Sequence, residues 1–245
     1  MKRSLLPLLS LLLTAATAGA QSLPTGQDGA AAQANLNALT TGAPTVLPRA
    51  SSEGLRGSPY ADNRWLPAQI SLSNGRPLAL VPLKYDVLDQ RLLMRKQGSV
   101  LDSLQLDDRL VAGFALLLPA TGQAPARRRV FRRFAEAPLA EQRGHYVEVL
   151  HEGRYVLLCH HQKFLLKANL SGAYNAGRRY DEIEEKADYY LRTPDAALLP
   201  VKLTLRALQT AAPALATSLK TAAHAPKTEA DWVAVLHAAD PEPTK

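Results

Sequence analysis

The chain has 245 residues, of which 47% are hydrophobic and 21% charged, and it carries a formal charge of +7. That length suits one domain with an ordinary aliphatic core. The mild basic excess falls short of a nucleic-acid-binding signature, and the single cysteine, Cys159, excludes an intramolecular disulfide and any paired-cysteine metal site.

Lys2 and Arg3 precede an apolar run, Leu5 to Leu13, broken by Pro7 and Ser10 and followed by small residues up to Ala18-Gly19-Ala20. This is the three-part pattern of a secretory signal over residues 1–20, with A-x-A cleavage before Gln21. The run is shorter than the roughly 20 residues a spanning helix needs, and no later segment reaches that length without a charge or a proline. No transmembrane segment is therefore expected in the mature chain. Loss of Lys2 and Arg3 leaves 27 basic against 22 acidic residues, about +5. The expected product is periplasmic or secreted, with nucleic acid excluded as a partner.

Residues 21–53 are rich in Ala, Gly, Thr, Gln, Asn and Pro, which predicts a flexible leader with a short helix around Ala30 to Leu39 and structure beginning near Leu55. Residues 54–203 then read as strands and turns. Gln69 to Ser73 alternates polar with apolar, Asn74-Gly75 follows, and Leu78 to Leu83 is apolar again, the sequence signature of a hairpin. Tyr85 to Met94 reads as one further strand, Lys96-Gln97-Gly98-Ser99 as a turn, Leu110 to Leu118 as an apolar strand and Arg127 to Phe134 as its partner. His145 to Leu150 and Tyr155 to His161, the latter extending toward Lys167, predict a second hairpin around His151-Glu152-Gly153-Arg154. Tyr189 to Arg192 and Ala197 to Lys202 predict a third around Thr193-Pro194-Asp195.

Residues 204–245 switch to helical period: Leu205, Leu208 and Ala212 form one stripe, Pro213 opens a second helix, and Thr228-Glu229-Ala230-Asp231 resembles a capping box before a third with Trp232, Val235, Leu236 and Ala239 on one face. The fold class expected is α+β, mainly antiparallel β. Its meander sheet would curl into a barrel or sandwich, with short C-terminal helices covering one end or face of the sheet.

The chemistry-bearing residues concentrate at Cys159-His160-His161, with His145 and His151 nearby. Strand alternation puts Cys159 and His161 on one face and His160 on the other, so the expectation is a buried strand cysteine and no catalytic residue. A two-residue Glu152-Gly153 loop would set Val149 opposite Val156, Val147 opposite Leu158 and His145 opposite His160. A cross-strand His145–His160 pair is a weak metal candidate, because zinc takes at least three protein ligands. Arg127, Arg128, Arg129, Arg132 and Arg133 fall on both faces of their strand. That predicts a sheet edge guarded by charge, or a contact for anionic groups of polysaccharide or lipid. The run Asp181-Glu182-Ile183-Glu184-Glu185 lacks calcium-loop spacing and reads as a solvated turn or the start of a strand. No phosphate loop, dinucleotide fingerprint, G-x-S-x-G elbow or H-E-x-x-H helix is present, and no cofactor is expected.

Gly57-Ser58-Pro59-Tyr60, Trp65-Leu66-Pro67-Ala68 leading into Asn74-Gly75, and Val81-Pro82-Leu83-Lys84-Tyr85-Asp86-Val87 resemble a group of exported, β-rich proteins of unknown function from Bacteroidota-type bacteria. The Val149-Leu150-His151-Glu152-Gly153 turn, Tyr189-Tyr190 and the helical tail are similar too, so the resemblance covers most of residues 54–240. It implies envelope location and a strand-then-helix layout, and brings no activity or catalytic residue. Tyr60 and Trp65 are expected to pack at the start of the sheet rather than to form a recognition loop.

The function expected is a non-enzymatic binding or structural module of the envelope, its partner a polysaccharide, a lipid or another envelope protein. The competing expectations are a hydrolase or metal enzyme built on His145, His160 and His161, and a barrel enclosing an apolar ligand. An enzyme requires those histidines and a carboxylate to converge in a concave pocket.

Overall fold

The computed structural model describes residues 30–46, 55–76, 78–95, 103–122, 125–167 and 180–241. The secretory signal and the turn expected over residues 96–99 lie outside the described residues. The elements in chain order are α1 (Ala30–Thr40), β1 (Thr45–Val46), β2 (Leu55–Arg56), β3 (Leu66–Leu72), β4 (Val81–Asp86), β5 (Arg91–Arg95), β6 (Ser103–Gln105), β7 (Val111–Leu118), β8 (Arg127–Arg133), β9 (Tyr146–Glu152), β10 (Val156–Leu166), β11 (Asp181–Arg192), β12 (Leu198–Val201), α2 (Leu205–Ala211), α3 (Ala216–Ala222) and α4 (Glu229–Ala239).

The chain is mainly antiparallel β. Its strands join one sheet in the order β1, β6, β5, β4, β3, β7, β8, β9, β10, β11, β12, with β2 added parallel to the start of β11. The path is open, ending at the short strands β1 and β12. It is nevertheless strongly curled. Tyr85 on β4 and Tyr146 on β9 are separated by four strand spacings, roughly 19 Å across a flat sheet, yet their ring centroids lie 5.6 Å apart. Phe114 of β7 and Phe131 of β8 complete the group, stacked at 4.8 Å. Four rings thus fill the inside of the curl.

Alternation drives burial as expected: β3 buries Leu66, Ala68, Ile70 and Leu72 and turns the residues between them outward. The hairpin from β3 to β4 exists, but only Leu66 to Ala68 pair with it. Gly75 N–H bonds the Leu72 carbonyl at 3.0 Å; the chain then runs on to Val81 while the rest of β3 pairs with β7. The single strand expected over Tyr85 to Met94 is instead two strands joined at Val87 to Gln90. No glycine marks this turn. Gln90 takes φ +53° itself, held by its amide on the Val87 carbonyl at 2.7 Å and by the Tyr85 hydroxyl on its Oε1 at 2.6 Å.

The helix expected around Ala30 to Leu39 is present, and it is docked: Leu36 and Leu39 are buried in the same cluster as the four rings. Order therefore starts well before Leu55. The C-terminal helices follow the sequence reading closely. Thr228 Oγ1 accepts from Asp231 N–H and the Asp231 carboxylate accepts from Thr228 N–H, closing the capping box. Trp232, Val235, Leu236 and Ala239 are buried with Leu208, Leu215 and Leu219 against Tyr155, Leu157 and Leu191 of the last hairpins.

Candidate functional site

The second hairpin was expected in one register and adopts another. Glu152 pairs with Val156, and a bulge between Leu157 and Leu158 brings Val149 opposite Leu158 and Glu148 opposite Cys159. The cause is tertiary. Asp240, at the end of α4, accepts from Tyr155 N–H at 2.8 Å and lies so close to Gly153 that a Cβ there would be 2.6 Å from its carboxylate. The loop is shaped by the docked helix rather than by its own two central residues. Beyond the bulge the displacement is two residues, which preserves the face each side chain occupies.

On the inner face this register assembles a buried ionic cluster. Arg129 Nε and one terminal nitrogen donate to the two oxygens of Glu148 at 2.8 and 2.6 Å, and its other terminal nitrogen donates to the Ala61 carbonyl at 3.0 Å. His161 Nε2 meets Glu148 Oε2 at 2.7 Å, while its Nδ1 faces Cys159 Sγ at 3.9 Å and Glu185 Oε1 at 3.7 Å. Burial would raise the Glu148 carboxyl, but the hydrogen bonds from Arg129 and His161 prevail and hold it down to about 2. Burial likewise opposes charge on His161, and its contacts with Cys159, Glu148 and Glu185 outweigh that and raise it. Burial pushes the Cys159 thiol up, so the positive ring is neutralised by the carboxylates, not by a thiolate.

Cysteine, histidine and glutamate thus stand in the order of a nucleophile, a base and its orienting acid. The environment disarms them. Cys159 is 0% exposed, its thiol stays protonated, and the glutamate is neutralised by a forked guanidinium. A reactive cysteine is partially exposed and has a lowered pKa, the opposite of the first two.

The outer face carries the histidine pair. His145 Nδ1 and His160 Nε2 are 3.1 Å apart. Burial lowers both, His160 to about 4 with help from its neighbour, so the two rings share a hydrogen bond as neutral imidazoles. His160 Nδ1 is buried without a partner among the described residues. No group of three or more His, Cys, Asp or Glu residues among those described is placed to hold a metal ion. His151 belongs elsewhere: its Nδ1 lies 3.1 Å from His237 Nδ1 and its Nε2 3.3 Å from Asp240, fastening α4 to β9.

The arginine strand is not an edge, contrary to expectation; β8 pairs with β7 on one side and β9 on the other. An interior strand tolerates this charge because the arginines from Arg129 on meet acceptors on both faces. Beside Arg129 on Glu148, Arg132 bonds Glu136 at 2.8 Å, and Arg133 bonds the Val111 carbonyl at 3.1 Å and lies 4.2 Å over the Tyr146 ring. Arg127 and Arg128 remain exposed. The acidic run opens β11, where Asp181 pairs with Lys167 and Glu185 with Lys163. Gly57 adopts φ +86° in close approach to the Ile183 carbonyl, where a Cβ would come within 2.6 Å. Tyr60 and Trp65 pack beside β4, their rings 4.5 and 5.0 Å from Lys84 Nζ.

A cleft of about 1080 Å³ opens between β11, β12 and α2, with Tyr189, Leu199, Val201, Lys202, Arg206 and Ala207 among its lining residues. The sequence reading missed it, since no motif marks the space between a hairpin and the helix that follows. A smaller hollow of about 570 Å³ on the outer face joins Arg132, Glu136, Glu152 and Arg192. None of His145, His160 and His161 lines either. Among the described residues no helix is long and apolar enough to cross a membrane. Comparison with protein-family models, curated proteins and solved structures finds no match to this chain.

Proposed function

We propose that this chain is an exported module of the cell envelope that acts by binding rather than by turning over a substrate. One observation carries the reading: the residues suited to catalysis are consumed by one another in the interior, while the cleft between β11, β12 and α2 is lined by no histidine or cysteine. Export is supported by the N-terminal basic, apolar and small-residue pattern. In this reading the curled sheet is an incompletely closed barrel whose interior serves packing, with four aromatic rings where an internal ligand would lie.

Two measurements test it. Expression of the full chain in a Gram-negative host is expected to yield an envelope-fraction protein whose N-terminus, by mass spectrometry, is Gln21. Ester, amide and glycoside reporter substrates are expected to show no turnover that differs between the native chain and Cys159→Ala or His161→Ala. Cytoplasmic retention with residues 1–20 intact overturns the export; Cys159-dependent turnover overturns the binding role.

A further inference from the structure

We propose that the cleft between β11, β12 and α2 binds a single-chain anionic amphiphile, a long-chain carboxylate, with the chain against the hairpin and the headgroup between Lys202 and Arg206. The inference rests on the reading of the chain as a binding module and names its ligand class. The cleft, at about 1080 Å³, matches the upper end of small-ligand sites, about 300–1,000 Å³. Its walls are mostly aliphatic, from Leu199, Val201, Leu203, Ala207 and Ala211, with the Tyr189 ring fixed by a 2.8 Å bond from its hydroxyl to Glu229. Leu199 is 37% exposed, apolar surface that a ligand would cover.

Charge decides the headgroup. Three ionisable side chains other than tyrosine line the cleft: Asp188, Lys202 and Arg206. Asp188 is already neutralised, with Lys186 Nζ at 2.9 Å and the Gln162 amide at 2.5 Å. Lys202 and Arg206 have no acidic partner among the described residues, and both are exposed. An aliphatic wall ending in two uncompensated cations is complementary to a chain ending in an anion. A peptide strand is the competing occupant of a sheet edge. Here the edge strand β12 is four residues long and contains Pro200, which has no N–H to donate, so it is a poor template for strand addition.

The test is titration calorimetry of the mature chain with oleate below its micelle concentration, and with methyl oleate, which keeps the chain and removes the charge. Saturable one-to-one binding of oleate is expected, with the ester at least tenfold weaker. Lys202→Glu with Arg206→Glu is expected to weaken oleate by tenfold or more, and Ala207→Trp, which fills the cleft, to abolish binding while the circular dichroism spectrum is kept. Arg127→Glu with Arg128→Glu, which makes the same charge change elsewhere, is expected to leave affinity within twofold. Absence of saturable oleate binding overturns the proposal, as does binding indifferent to the cleft variants or lost equally in the Arg127/Arg128 variant. A chain that reaches the envelope, turns nothing over and ignores oleate would reject the ligand while leaving the binding role standing.

Discussion

Glu148 holds the buried ionic cluster together. It is a buried carboxylate shared by a guanidinium and an imidazolium, and removing one member of such a group leaves the others charged and unmatched. Glu148→Gln is therefore expected to cost about 3–5 kcal/mol of unfolding free energy in urea titrations. Because Glu148 is held down to about 2, its contribution is complete above the ordinary carboxylate range and is lost as pH falls toward 2. The histidine pair acts in a higher window with the same sign. His145 and His160 are lowered by burial, so the unfolded chain takes up protons first, and stability is lost as pH falls from about 6.5 toward 4. Stability measured between pH 7 and 4 should fall in the native chain and fall less in His160→Gln. Equal slopes would show that the pair does not titrate on unfolding. His161 has the opposite sense: raised in the fold, it supports stability at low and neutral pH and ceases to do so in alkali.

At the level of elements, strand alternation revealed faces and could not reveal neighbours. It placed Cys159 with His161, and that contact is present; the expected register set His145 directly opposite His160, and with the register displaced by two residues the rings still meet at 3.1 Å. It could not place Glu148 beside His161, because that depends on a bulge induced by Asp240, some ninety residues away in the chain. The same separation hid the arginine pairings, since the acceptors for Arg129 and Arg133 come from other strands and loops. Gly153 is where this long-range control becomes testable. An added methyl would meet Asp240 Oδ2 at 2.6 Å, the Asp240 carbonyl at 2.7 Å and His151 Nε2 at 2.8 Å, and two of these atoms sit at the end of a docked helix. Gly153→Ala should loosen α4 without unfolding the sheet, seen as faster amide exchange from Trp232 to Ala239 against unchanged exchange in β7 and β8. Uniform acceleration would mean that helix and sheet open together.

Across the whole molecule, three apolar clusters among the described residues share one sheet. One surrounds the four rings inside the curl, another lies under the C-terminal helices, and a third joins Phe134, Val147, Leu158 and Tyr190. The ionic cluster bridges the first two: Phe131, a member of the first, faces His161 with ring centroids 6.4 Å apart, and Cys159 pairs across strands with Tyr189, which packs on the second. The helical half was legible from sequence because its period, caps and proline are local signals. The first cluster was legible as strands but not as an assembly, since β3 lies beside β7 and β1 beside β6, pairings that no local pattern encodes. Composition misled most at α1, where alanine-rich polar sequence concealed a stripe of Leu36 and Leu39 that closes the first cluster. Leu39 is 3% exposed, and its carbonyl accepts from Asp107 N–H at 3.5 Å, tying the helix to the chain after β6. If α1 is an integral layer, Leu39→Ala should cost about 2–5 kcal/mol, the range for emptying a buried leucine site. It should lower the single urea midpoint of the whole chain rather than create a separate early transition. A helix merely resting on the sheet would show less than 1 kcal/mol, roughly the helix-propensity scale, so the size of the effect separates a working layer from a leader.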